Sequence, residues 1–257
     1  MNLIKFNQFI LENKFWGKTI IQFLDYMDKI KSKKFIFIDT ETTGLREAPY
    51  EVQLTQVAAI VCDFDGKKFN EVATFNKKIE LTETTKNIMS DDIERVLKFN
   101  HYHDGEEFFD ETEVLNDFKK FVDEYKNSIF VIQNAEFDMT FLNTRSDVKF
   151  KNEVLDTKQI LQLFVIPLYE VLAEKEQHWE MALKGIGKSE RDFGLVSSSL
   201  SKWGPHFGID MRGYHDALVD CRMTITLLQR MLIFLKAYKN NDITEYQMKR
   251  IKVIKER

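Results

Sequence analysis

Apolar residues change their spacing several times along the chain, and each change marks an element. Between residues 3 and 31 they recur at helical intervals: Ile4, Phe6, Phe9 and Ile10, then Ile20, Ile21, Leu24, Met27 and Ile30. This predicts two helices divided at Gly17. Three strand-like runs follow, Phe35–Ile38, Val52–Cys62 and Lys68–Ile79, with Asp63-Phe64-Asp65-Gly66 as the hairpin turn between the last two. Ser90 before Asp91, Asp92 and Ile93 reads as a helix N-cap with acids in the first turn. Glu111–Tyr125 is an amphipathic helix with Val114, Leu115, Phe118, Phe121 and Val122 inward. Ser128–Gln133 is a short apolar strand, and Asn134 opens a helix over Ala135–Leu142. Glu153–Leu155 adds a strand and Thr157 to Val165 a helix. Segment 167–197 has two parts, a helical stretch carrying Trp179 and the loop KGIGKSERDFG. Ser198–Phe207 is a short helix broken or kinked at Gly204-Pro205, and His215–Tyr238 is a long one.

Strands in hairpin succession, then strands alternating with helices, imply an α/β fold with a mixed five-stranded sheet flanked by helices. Residues 1–34 form a helical extension, 35–238 the main domain with 167–197 as an insert, and 239–257 a basic tail.

Composition narrows the class. At 44% hydrophobic and 30% charged residues, the chain reads as soluble and globular. No apolar run approaches the roughly 18 residues of a membrane span. The start, MNLIKFNQFILENKFW, has acidic and amide residues within its apolar part and no small-residue cleavage site, so a secretory signal is not expected. Cys62 and Cys221, far apart in apolar segments, suit buried thiols in a reducing cytoplasm.

A net charge of −4 argues against a protein that coats phosphate by attraction alone. The charge is unevenly placed: residues 1–34 and 247–257 are each +4, which leaves the middle at −12. An acidic core that handles a polyanion needs metal ions to do so. An acidic soluble surface is the plainer alternative.

Three clusters carry potential chemistry. In FIFIDTETTG, Asp39 and Glu41 are two apart on a strand, so both carboxylates project to one face while Thr40 points away. They lie at the strand's C-terminal end, where α/β sheets bind ligands. Their repulsion favours a cation between them, and hard oxygen ligands suit Mg²⁺ or Mn²⁺. In SIFVIQNAEFDMTFL, Asp138 falls in the first turns of a helix, where the helix dipole alone also favours an acid. In GYHDALVDCRMT, Asp216 is an N-cap, Asp220 lies one turn inside the helix and His215 sits just before it. Only from a preceding loop can His215 share a site with Asp220, since five residues span about 140° of a continuous helix. A loop histidine there suits a general base beside metal; alone, it is an ordinary exposed side chain.

Together, FIDTETTG, NAEFD and HDALVD resemble the three motifs of the DEDDh 3′–5′ exonucleases, a family with a ribonuclease H-like fold. It includes polymerase proofreading subunits, ribonuclease T and oligoribonuclease. The resemblance covers about 35–235. Asp216 stands where a tyrosine-type relative needs Tyr, so the histidine type is favoured. The resemblance implies that Asp39, Glu41, Asp138 and Asp220 hold two divalent ions, Mg²⁺ or Mn²⁺, and that His215 is the general base. It also implies that Thr42, Gly44 and Phe137 meet the terminal nucleotide. The expected substrate is the 3′ end of single-stranded nucleic acid. DNA is favoured, because no residue announces a contact to a 2′-hydroxyl. The alternatives are an RNA-trimming exoribonuclease and a non-catalytic nucleic-acid-binding module.

Departures from the family pattern are Gln133, where many relatives have His, the stretch SLSKWGPHFGI with Trp203 and Pro205, and the longer 167–197. Lys184, Lys188 and Arg191 could guide a strand, and His178 and Trp179 could stack a base; a solvated loop and a surface helix are the plain readings. Residues 1–34 or the tail MKRIKVIKER could dock a replication or repair protein, although packing on the chain's own domain is the simpler expectation for 1–34. Frequent Lys, Asn, Ile and Phe suggest an AT-rich genome, hence a bacterial or phage-infected cytoplasm.

Overall fold

Strand β1 (Phe35–Thr42) lies at the centre of a mixed sheet. On one side it pairs antiparallel with β2 (Leu54–Phe64), which pairs antiparallel with β3 (Phe69–Ile79). On the other side lie two parallel strands, β5 (Ile129–Ile132) and β6 (Glu153–Asp156). The computed structural model describes residues 15–44, 52–88, 106–145 and 149–243. The sheet has six strands, in the order β4-β3-β2-β1-β5-β6, rather than the five expected. The additional β4 (Phe108–Phe109) extends the far end of β3; two residues are too few to show an alternation.

The helices are α1 (Phe15–Ile30), α2 (Glu83–Ile88), α3 (Glu111–Glu124), α4 (Ala135–Arg145), α5 (Thr157–Ile160), α6 (Ile166–Ala173), α7 (Gln177–Ile186), α8 (Leu200–His206) and α9 (Ala217–Lys239). The period-two alternation of β1 sorts them into two layers. Phe35 and Phe37 face one core, shared with Leu24 and Met27 of α1, Trp203 of α8 and Leu228 of α9. Ile36 and Ile38 face the other, with Phe118 of α3 and Phe141 of α4. Each fully buried large side chain contributes about 1.5–3 kcal/mol of transfer free energy. β1 is buried on both faces, so its sequence is uninterruptedly apolar up to Asp39.

The β2–β3 hairpin turns two residues later than expected, over Asp65–Lys68, because Asp63 and Phe64 stay paired with Asn70 and Phe69. Asp65 accepts from the amides of Lys67 and Lys68, both at 2.7 Å, and Gly66 takes φ +91°. Several other expectations are corrected. Helix α1 runs through Gly17 instead of breaking there; its packing into the domain's own core is the simpler of the roles expected for that segment. The helix predicted to end at Val165 continues to Ala173 through a π turn over Leu161–Val165, immediately ahead of Pro167. Widening the turn changes the hydrogen-bond register where proline has no amide to give. Helix α8 continues through Gly204 and Pro205 to His206. Trp179 is no surface stacker: at 2% exposure it packs edge-on against Tyr169 and beside Phe234. The cap expected at Ser90 lies outside the described residues, as do residues 1–14 and 244–257 of the extension and tail. Among the described residues, no helix is long and apolar enough to cross a membrane.

Candidate active site

At the C-terminal end of β1 the two layers meet. Asp39 follows the parity of Phe37 and faces α9; Thr40 follows that of Ile38 and faces α4. Thr40 therefore does not simply point away from the chemistry. Its amide and hydroxyl donate to Oδ1 of Asp138, at 2.9 and 2.8 Å, and draw that carboxylate to the strand end. Asp138 is only 3% exposed.

Helix α9 supplies Asp220 from its first turn, 5% exposed. Its start is fixed by Asp216, whose Oδ1 accepts from the amides of Leu218 and Val219, both at 3.1 Å. Gln56, the β2 residue paired with Glu41, locks this cap to the sheet. Its amide nitrogen donates to Asp216 Oδ2 at 3.2 Å and its oxygen accepts from Ala217 N at 3.2 Å. His215 lies just before the helix with φ +72°, a left-handed conformation that carries its ring out of the helical path. Its backbone amide donates to Asp220 Oδ2 at 3.4 Å.

The cleft so formed has a volume of about 250 Å³, and Asp39, Glu41, His215 and Asp220 line it. Ligand atoms of Glu41, His215 and Asp220 lie within 4.8 Å of one another. Thr42, Gly44 and Phe137 do not line it. The Thr42 hydroxyl donates to the Gly44 carbonyl at 2.7 Å, closing the turn after β1, and the Phe137 ring packs 5.0 Å from Phe141.

Burial and mutual repulsion make the carboxylates of the cleft suited to a cation. Burial raises Asp39 well above the carboxylate range, and Asp138, Asp220 and Glu41 add to the rise. Glu41 is raised by burial and then by Asp220 and Asp138. Burial lifts Asp138 to about 7 against the opposing Thr40 hydrogen bonds, and it lifts Asp220 to about 7 against the His215 amide. His215 is lowered by burial, which favours its neutral ring. Asp220 Oδ1 is buried and has no hydrogen-bond partner. An orphaned carboxylate oxygen inside a cluster of hard oxygen donors fits a divalent ion such as Mg²⁺ or Mn²⁺.

Residues 36–228 match a family described as Exonuclease. The chain belongs to this exonuclease family. Asp39, Glu41, Asp138, Asp220 and His215 give it the DEDDh pattern. No curated protein matches it in sequence. Its fold is similar to that of solved exonuclease I structures. One is the zinc-bound E. coli enzyme with single-stranded DNA (16% identity, TM-score 0.52), covering 85% of this chain and 43% of that one. Another is the E. coli enzyme with a dT13 oligonucleotide (18%, TM-score 0.51), covering 84% and 43%. A third is an exonuclease I structure described in terms of processivity (17%, TM-score 0.52), covering 85% and 44%. The chain thus spans less than half the length of these exonuclease I chains.

Sequence reasoning missed residues that build the cleft without carrying its acids. Asp156 accepts from Asn134 N at 3.1 Å and Ala135 N at 3.0 Å with one oxygen each, and from Lys158 N at 2.8 Å. It therefore caps α4 and α5 together, the role expected of Asn134 for α4. The signal was available, since an Asp-Thr pair stands between a strand and a helix. Gln133 donates to Ser198 O at 2.9 Å, tying the end of β5 to the segment before α8. Lys158 also lines the cleft, with Nζ 3.3 Å from Asn134 Oδ1; nothing in its spacing marked it.

Proposed function

We propose that the protein is a metal-dependent 3′–5′ exonuclease that removes nucleoside 5′-monophosphates from single-stranded nucleic acid, DNA in preference to RNA. The observation that carries this is the buried, unpartnered Oδ1 of Asp220 in a cluster with Glu41 and His215. Asp39, Glu41, Asp138 and Asp220 would hold two divalent ions, which supply a lowered water pKa and neutralise charge on the phosphate.

The chain's own residues do the rest. His215, neutral and on a loop facing the cleft, accepts a proton from the attacking water at its ring nitrogen. Water oxygen bonds to phosphorus, the P–O3′ bond breaks, and the departing O3′ takes a proton from solvent, leaving a 3′-hydroxyl on the shortened strand. Thr42, Gly44 and Phe137 flank the terminal nucleotide from the turn after β1 and from α4. Residues 1–34 or the C-terminal tail offer a surface for a replication or repair protein, and the bacterial or phage-infected cytoplasm is the proposed setting.

The test is a 5′-labelled oligonucleotide, as DNA and as RNA of the same sequence, with Mg²⁺ or Mn²⁺. Stepwise shortening from the 3′ end, faster on DNA and abolished in Asp39→Asn, is expected. No shortening of either, or equal shortening by the variant, overturns the reading. Faster RNA cleavage overturns the DNA preference alone.

A further inference from the structure

A second concavity of about 440 Å³ opens beside the cleft, between the helical run Thr157–Ala173 and a small ribbon. The ribbon pairs β7 (Lys188–Ser189) with β8 (Leu195–Val196). Groove and cleft share the lining residues Asn134, Lys158 and Asp192, so the two adjoin. Ile166 and Pro167 form one wall, Leu195 and Val196 the other.

The ribbon is anchored at its base. Asp192 accepts from the Ser198 amide at 2.9 Å, the Ser198 hydroxyl at 3.0 Å and Gln162 Nε2 at 3.3 Å. The next residue, Phe193, is held at φ +55° and is 92% exposed. Its ring takes part in none of the aromatic pairs among the described residues. A bulky side chain in the left-handed region is strained, and here the strain presents a bare aromatic face at the rim of a groove.

Charge decides what fits. Glu136, Asp156, Glu170 and Asp192 line the groove, and Lys158, the one cation among the described lining residues, stands where groove and cleft adjoin, 3.9 Å from Asp192 Oδ1. Phosphate is repelled along the groove and accepted at its mouth. A flat, uncharged base suits the apolar walls, and bases stack on exposed aromatics irrespective of sequence.

We infer that this groove binds a nucleobase of the single-stranded substrate beyond the nucleotide immediately 5′ of the scissile bond, stacked on Phe193, with Lys158 meeting the phosphate at the junction. The inference rests on the exonuclease reading above. It makes the ribbon an affinity element for strands longer than the shortest cleavable unit.

The experiment compares the full chain with Phe193→Gly and Phe193→Trp. Glycine suits the positive φ, so loss of binding cannot be laid to loss of fold. Binding of a 12-nucleotide thymidylate is read by fluorescence anisotropy in EDTA, and KM and kcat are read with Mn²⁺ on the same strand and on a dinucleotide. Phe193→Gly should weaken 12-mer binding and raise its KM about 5- to 100-fold. The effect should fall below twofold on the dinucleotide, and Phe193→Trp should restore affinity. Equal affinity of Phe193→Gly and the native chain for the 12-mer, or an equal loss on the dinucleotide, overturns the inference. Should the chain bind the 12-mer without cleaving it, the exonuclease reading fails, and the anisotropy series still decides the groove.

Discussion

Thr40 gives two hydrogen bonds to one oxygen of Asp138, from its amide and from its hydroxyl. The end of the central strand and the helix that covers that same face of the sheet are thereby held as one unit. Partners that orient a metal-binding carboxylate typically matter 10- to 100-fold in affinity. Thr40→Val keeps shape and amide but removes the hydroxyl. It should weaken Mn²⁺ affinity about tenfold, read from the metal dependence of thermal stability. An unchanged titration would reduce Thr40 to a packing residue.

His215 stands close enough to Glu41 and Asp220 to be either a ligand or a base. As the base, His215→Gln should lose about 10²–10⁴ in kcat while Mn²⁺ still raises the unfolding temperature as in the native chain. Loss of the metal-induced stabilisation as well would make it a ligand.

Asp138 and Asp220 are each raised to about 7 when folded, against an ordinary value of 3.8. Between those values the folded state binds more protons than the unfolded state, so the slope of stability with pH is negative. The metal-free protein should lose stability as pH rises from about 4 through about 7. Mg²⁺ or Mn²⁺ should restore it, most at the alkaline end, where the carboxylates are free of protons. Thermal melts at pH 5, 6, 7 and 8, with and without metal, check this; a metal-free melting temperature that rises over that range would contradict it.

Asp156 serves two helix starts, and each cap is worth about 0.5–2 kcal/mol. Asp156→Ala should cost about 2 kcal/mol in urea unfolding, with kcat lowered because α4 carries Asp138. Asp156→Asn, which keeps an acceptor, should recover part of both.

The hairpin, the central strand and the long final helix were legible because their patterns are local. FIFI alternates and stops at an acid, Asp65-Gly66 starts a turn, and Asp216 caps. The DEDDh pattern was legible for the same reason, each of its residues lying in a short stretch with its own context. What escaped depends on partners distant in sequence. Asp156 caps a helix 21 residues earlier, Gln56 reaches Asp216 across 160 residues, and Trp179 lies on Phe234. The six-strand count escaped for a different reason: a two-residue strand exists only through its neighbour.

Gln56 has a wider consequence. In a strand, a slip of one residue turns every side chain to the other face. Were β2 to pair with β1 one place out of step, Val57 would stand where Gln56 does, and Asp216 and the Ala217 amide would lose their amide partner. The final helix would then dock without its latch, and Asp220 would not be carried to Glu41. Gln56 thus couples strand registration to the docking of the final helix: the same residue that pairs with Glu41 in the sheet also holds the cap from which Asp220 extends.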